Sequence, residues 1–201
     1  MRRILIFISL LLSTCILKAQ EEQEKEDDVK SKYSMFSEKS GMLLKHEYYD
    51  LGKVGGLTLE TIVSTDINND TKAAAVRFKN SYYISMNARS IYYISALDSE
   101  ELDSCIDALG FMVAMSESKV PEVYTEYRYI SIEGIKISLF TNNGSWNASV
   151  QTQKYTDKSW MKIPMNKLKE IIDKLNRAKS IIEESLSTQE NEIHNAEVST
   201  L

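Results

Sequence analysis

Two hydrophobic periods run along this chain. From residue 42 to residue 163 apolar side chains mostly alternate with polar ones in short runs, the two-residue period of strands, and two stretches switch to helical spacing. Residues 42–50 are the first strand candidate, 52–56 supply a glycine-rich turn, and 57–65 alternate with Leu57, Leu59, Thr61 and Val63 on one face. The run Asp66-Ile67-Asn68-Asn69-Asp70 is a loop of turn-forming residues. Strands over 72–79, 82–86 and 91–95 follow, the last two parted by Asn87-Ala88-Arg89. The period then changes. Asp98-Ser99-Glu100-Glu101 has the spacing of a capping box, in which an oxygen at Asp98 or Ser99 takes orphan amide hydrogens and Glu101 or a neighbour reaches back. Behind it Leu102, Ile106, Leu109 and Val113 fall on one helical face, and Pro121 bars continuation.

The second half repeats this grammar. Strands are expected over 122–132, 135–141, 146–152 and 159–163, with Glu133-Gly134 as a tight turn and Asn142-Asn143-Gly144-Ser145 as a hairpin signal. A helix starts near Pro164 and carries Leu168, Ile171, Ile172, Leu175, Ile182 and Leu186 as its buried stripe. At an offset of 66 residues Ile94 falls on Trp160, Leu97 on Ile163, Leu102 on Leu168, Ile106 on Ile172, Asp107 on Asp173 and Leu109 on Leu175. The expected fold is therefore α+β, with antiparallel sheets and one helix after each group of strands. It reads as a tandem duplication of a strand-rich unit plus helix, over 41–119 and 120–186. Each unit lays its helix on a sheet face, and the two sheets join side by side or pack together.

The ends read differently. Arg2 and Arg3, the apolar run 4–12 and Ala19 ahead of Gln20 have the layout of a secretory signal peptide over 1–19, too short and one-sided to span a membrane. Cleavage after Ala19 is the preferred reading. Lipidation at Cys15 is the alternative, because Leu12-Ser13-Thr14-Cys15 looks like a lipoprotein box in which Thr14 is a poor match. Residues 20–40 begin with a run too acidic to bury much apolar surface and are expected as a flexible tether, and 187–201 as a disordered polar tail.

Losing 1–19 removes Arg2, Arg3 and Lys18 and no acid, so 24 basic against 29 acidic residues become 21 against 29, a net charge of about −8. Such a chain has no Lys/Arg cluster for nucleic acid. With Cys105 the one cysteine left, an intramolecular disulfide is impossible, and its place among Leu102, Ile106 and Leu109 makes it a small core hydrophobe.

Little here carries chemistry. Asp66, Asn68 and Asp70 alternate like the first ligands of a calcium loop, but Thr71 and Arg77 stand where Gly and the bidentate Glu belong. The acids near 98–107 suit a helix start. His46 and His194 are the only histidines, and without a Gly-x-Ser-x-Gly elbow a hydrolase would have to be built on His46. No catalytic residue, metal ligand or cofactor is assigned. Eleven tyrosines include three doublets, Tyr48-Tyr49, Tyr82-Tyr83 and Tyr92-Tyr93. In a strand, neighbours face opposite sides, so each doublet sends one ring in and one out, and the outward rings would make a platform for a protein, peptide or glycan.

Signal peptide, acidic tether and strand-rich domain together resemble small exported envelope proteins of Gram-negative bacteria whose role is unassigned, a resemblance of organisation that carries over no site residues. The expectation is an exported, periplasmic or secreted, non-enzymatic binding protein of the envelope. A secreted inhibitor or chaperone of an envelope enzyme is the alternative, and a hydrolase comes third.

Overall fold

A computed structural model describes residues 30–198 of the chain; the leader with Cys15, the tether up to residue 29 and residues 199–201 lie outside them. Strands β1 (Leu44–Val54), β2 (Leu57–Asp66), β3 (Lys72–Ile84) and β4 (Arg89–Asp98) form an antiparallel meander, sheet A. Helix α2 (Leu102–Ser116) follows. Strands β5 (Glu126–Ile130), β6 (Lys136–Asn142), β7 (Ser145–Gln151) and β8 (Trp160–Ile163) form the second meander, sheet B, before helix α3 (Leu168–Val198). A short helix α1 (Lys32–Ser37) precedes β1. The turns are made as their residues dictate. Asn143 and Gly144 both take positive φ, 50° and 68°, in the two-residue hairpin between β6 and β7.

The repeat extends to fine detail at the strand-to-helix joint. Each helix is entered through a single 3-10 turn, Ser99–Glu101 before α2 and Met165–Lys167 before α3. Leu97 and Ile163, Leu102 and Leu168, Cys105 and Ile171, and Leu109 and Leu175 are buried pairwise, while Asp107 and Asp173 are both exposed.

Each helix then crosses over. Helix α3 packs on β1, β2 and β3 of sheet A, whereas α2 packs beside α3 and on β5 of sheet B. On sheet B the ring of Phe111 meets Tyr127 edge-on at 5.2 Å, and Trp146 Nε1 donates to the Ser118 carbonyl just beyond α2. The result is one core, in which Leu57, Leu59 and Phe78 of sheet A share a cluster with Ile137, Leu139 and Val150 of sheet B and the stripes of both helices.

Three expectations are corrected. Residues 72–79 and 82–86 are not two strands, because β3 continues through Asn80 and Ser81 to Ile84. Asn80 is buried there at no cost in lost hydrogen bonds, since its Nδ2 donates to the Ser159 carbonyl (2.7 Å) and its Oδ1 accepts from the Thr152 hydroxyl (3.0 Å). The stretch 20–40 is not all tether. Ser31 caps α1 by accepting from Ser34 N, and Tyr33 is buried. Finally α3 runs on to Val198 through most of the expected tail, an extension of a helix already nucleated, for which each added residue needs only propagation.

Candidate functional site

The strand register decides where each tyrosine doublet sends its rings. On sheet A the core side carries Leu57, Leu59, Val63, Val76, Phe78 and Leu97. Pairing of Tyr48 with Ile62 and Ala75, of Ser81 with Tyr92 and of Tyr83 with Ser90 places Tyr48, Tyr83 and Tyr92 together on the opposite, outer side. They are 53%, 61% and 58% exposed. Tyr49, Tyr82 and Tyr93 lie on the core side, where Tyr93 is buried at 8%. Tyr82 sits under Lys158 of the β7–β8 connection at 5.6 Å, and Tyr49 borders a groove beside Arg177 and Ile181 of α3. Tyr82 and Tyr49 remain exposed at the margin of that side, so of the three doublets only the third buries a ring in full.

Two cations pin the outer rings. The Arg77 guanidinium lies 5.1 Å over Tyr48 and the Lys79 ammonium 4.8 Å over Tyr92, so each ring has a cation against one face. Glu60 pairs with Arg77 at 3.7 Å.

At one end of this face α1 leans on the sheet and leaves a groove of about 370 Å³ that contains Tyr48, Arg77 and His46. Small side chains make the hollow that receives α1: the Tyr33 ring packs against Ile62 and Ala75, with Ala73 and Ala96 beside it. Polar contacts hold the helix from three sides. Tyr33 N donates to Asp98 Oδ2 (2.8 Å), Ser31 N donates to Glu133 Oε1 (2.9 Å), and Lys32 pairs with Glu100. Burial pushes the Tyr33 phenol above its ordinary pKa, so it stays a hydroxyl and keeps its 3.0 Å hydrogen bond to Ser64 Oγ.

His46 is the residue that sequence distance separated from any partner and that the fold gives one. Its Nδ1 lies 2.7 Å from Ser64 Oγ across the β1–β2 pair. Ser64, however, is fully buried, with its oxygen engaged by both His46 and Tyr33. Among the described residues no group of three His, Cys, Asp or Glu side chains is placed to hold a metal ion. Asp66 of the calcium-like run is buried and caps its own hairpin, accepting from Asn68 N and Asn69 Nδ2. Sequence reading found the doublets but missed Arg77, Lys79, Tyr33 and Ser64. Alternation alone would have put Arg77 and Lys79 on one face, whereas Tyr33 and Ser64 gain meaning only from pairing distant in sequence. Comparison with protein-family models, curated proteins and solved structures finds no match to this chain.

Proposed function

We propose that this is an exported envelope protein that binds a protein partner through the outer face of sheet A, without catalysing a reaction. The observation that supports this reading best is the register that sets Tyr48, Tyr83 and Tyr92 on one open face, two of them backed by cations. Tyrosine presents a large, stiff, amphipathic surface that loses little entropy on binding, and rings already pinned by Arg77 and Lys79 lose less still. Site-specific photocrosslinkers at positions 48, 83 and 92, compared with positions 49 and 82, test it in envelope extract. Crosslinks to a common partner from the outer set alone are the expected result; equal yields from both sets, or none, would remove the reading.

The His46–Ser64 contact favours a second reading, a serine hydrolase opened by lifting α1. A nucleophile must reach its substrate, and Ser64 is sealed under Tyr33 with its oxygen engaged by both that phenol and His46. A fluorophosphonate probe distinguishes the readings: labelling of Ser64 in the folded protein that disappears in His46→Ala would favour the hydrolase.

A further inference from the structure

Sheet B has an open face of its own, turned away from the core. Across its strands Arg128, Ser138, Ser149 and Lys162 form one row, and Lys136, Gln151 and Trp160 form the next. Its floor is polar yet buried, since Ser138, Ser149 and Gln151 are overshadowed by longer neighbours while standing outside the hydrophobic core. Its walls are aromatic: Trp160, 49% exposed, on one side and Phe140 with exposed Tyr124 on the other enclose a groove of about 220 Å³. Its charge opposes that of the chain. Glu126 is engaged by Arg128 through Nε (3.0 Å) and Nη2 (2.5 Å), which leaves Lys136 and Lys162 as a net positive charge on an acidic protein.

We infer that this face binds an acidic oligosaccharide. A pyranose ring has one C–H-rich face, which suits the flat indole of Trp160, and a rim of hydroxyls, which suits a floor of hydroxyl and amide groups. The planar Arg128–Glu126 fork offers paired donors and acceptors to adjacent hydroxyls. Lys162, two residues along β8 from Trp160, and Lys136, on the same row as Trp160, stand where a ring carboxylate would be neutralised. The floor is held in place by bonds of its own, Gln151 accepting from Lys136 Nζ (3.2 Å) and donating through Nε2 to the Thr156 carbonyl (3.3 Å), so it presents a fixed polar surface to a ligand. Extended peptides add to sheet edges through backbone pairing, and this is a face, not an edge. The inference concerns a different sheet and different residues from the tyrosine platform and does not depend on it.

Calorimetry on the mature full chain tests it with three acidic hexasaccharides (galacturonan, mannuronan and hyaluronan), the methyl ester of galacturonan, and a Glu-rich peptide of matched charge. At least one acidic hexasaccharide should bind and lose at least tenfold in affinity with Trp160→Ala. Lys162→Glu, a change at an exposed side chain that leaves the fold in place, should weaken the same ligand at least fivefold, and Tyr83→Ala on the other sheet should leave it unchanged. Absence of binding by all three at millimolar concentration overturns the inference. So does tighter binding of the peptide, equal binding of ester and acid, or full retention of affinity in Lys162→Glu.

Discussion

At the scale of single residues, the helical stripes were the most legible part of the chain, because a period near 3.6 needs no knowledge of the rest of the fold. Leu109 and Leu175 occupy matched positions on α2 and α3 and are both fully buried. Leu109→Ala and Leu175→Ala should each cost about 2–5 kcal/mol, read as a loss of urea midpoint at constant slope. A negligible change at either would mean that its side chain does not fill the shared core. Burial also sets an alkaline limit. It pushes the Cys105 thiol from 9.0 up to about 12, with the Glu101 carboxylate adding to the effect, and it pushes the Tyr129 phenol from 10.0 up to about 12. Between roughly pH 9 and 12 the unfolded chain releases protons that the folded chain retains. Stability that is fully present below pH 9 should therefore decline as the pH rises towards 12, and the decline should be shallower in Cys105→Ala with Tyr129→Phe. The direction of each tyrosine was not legible in the same way. A doublet guarantees that its two rings face opposite sides, but which is which depends on pairing partners elsewhere in the chain, as Ile62 is for Tyr48 and Asn80 for Tyr93.

Among the elements, α1 shows where local reading stops. Its six residues are too few to form a stable helix alone. It persists because Tyr33 fills the hollow between Ile62 and Ala75 and because Asp98 and Glu133, far along the chain, accept its amide hydrogens. Tyr33→Ala should release α1 while the two sheets stay folded. Limited proteolysis would then cut between residues 30 and 42 at least tenfold faster, with little change in the global melting temperature; an unchanged cutting rate would show that the polar contacts suffice. The bulge in β1 works similarly. The register shifts between Asp50 and Gly52, Leu51 turns its side chain into the core, and its carbonyl accepts from Lys174 Nζ of α3 at 2.5 Å. Nothing near Leu51 in sequence announces that partner. The unbroken β3 is the third case, since Asn80 and Ser81 read as a break until Thr152 and Ser159 supply the missing hydrogen bonds.

For the molecule as a whole, the order of strands and helices was readable, but not the exchange of helices between the sheets, which depends on how the two halves meet. The exchange makes the repeats interdependent. A fragment covering 31–119 would leave sheet A without α3, and one covering 120–198 would leave sheet B without α2. Each fragment alone should lack a cooperative thermal transition, and an equimolar mixture should recover one. A cooperative transition in either fragment by itself would show that a half carries enough core of its own.

The crossed helices also impose an order in time. The first sheet to emerge during synthesis is completed by the last helix, whose contact residues Lys174 and Ser185 meet Leu51 and Lys72 more than a hundred positions earlier. Contacts of such long sequence separation form slowly, and they cannot form at all until the C-terminal end of the chain is free. Sheet A therefore lacks its covering helix until synthesis is nearly over. A circular permutant beginning at α3 would have that helix at hand as sheet A emerges and should fold earlier during synthesis, read as earlier release of a force-sensitive stalled ribosome.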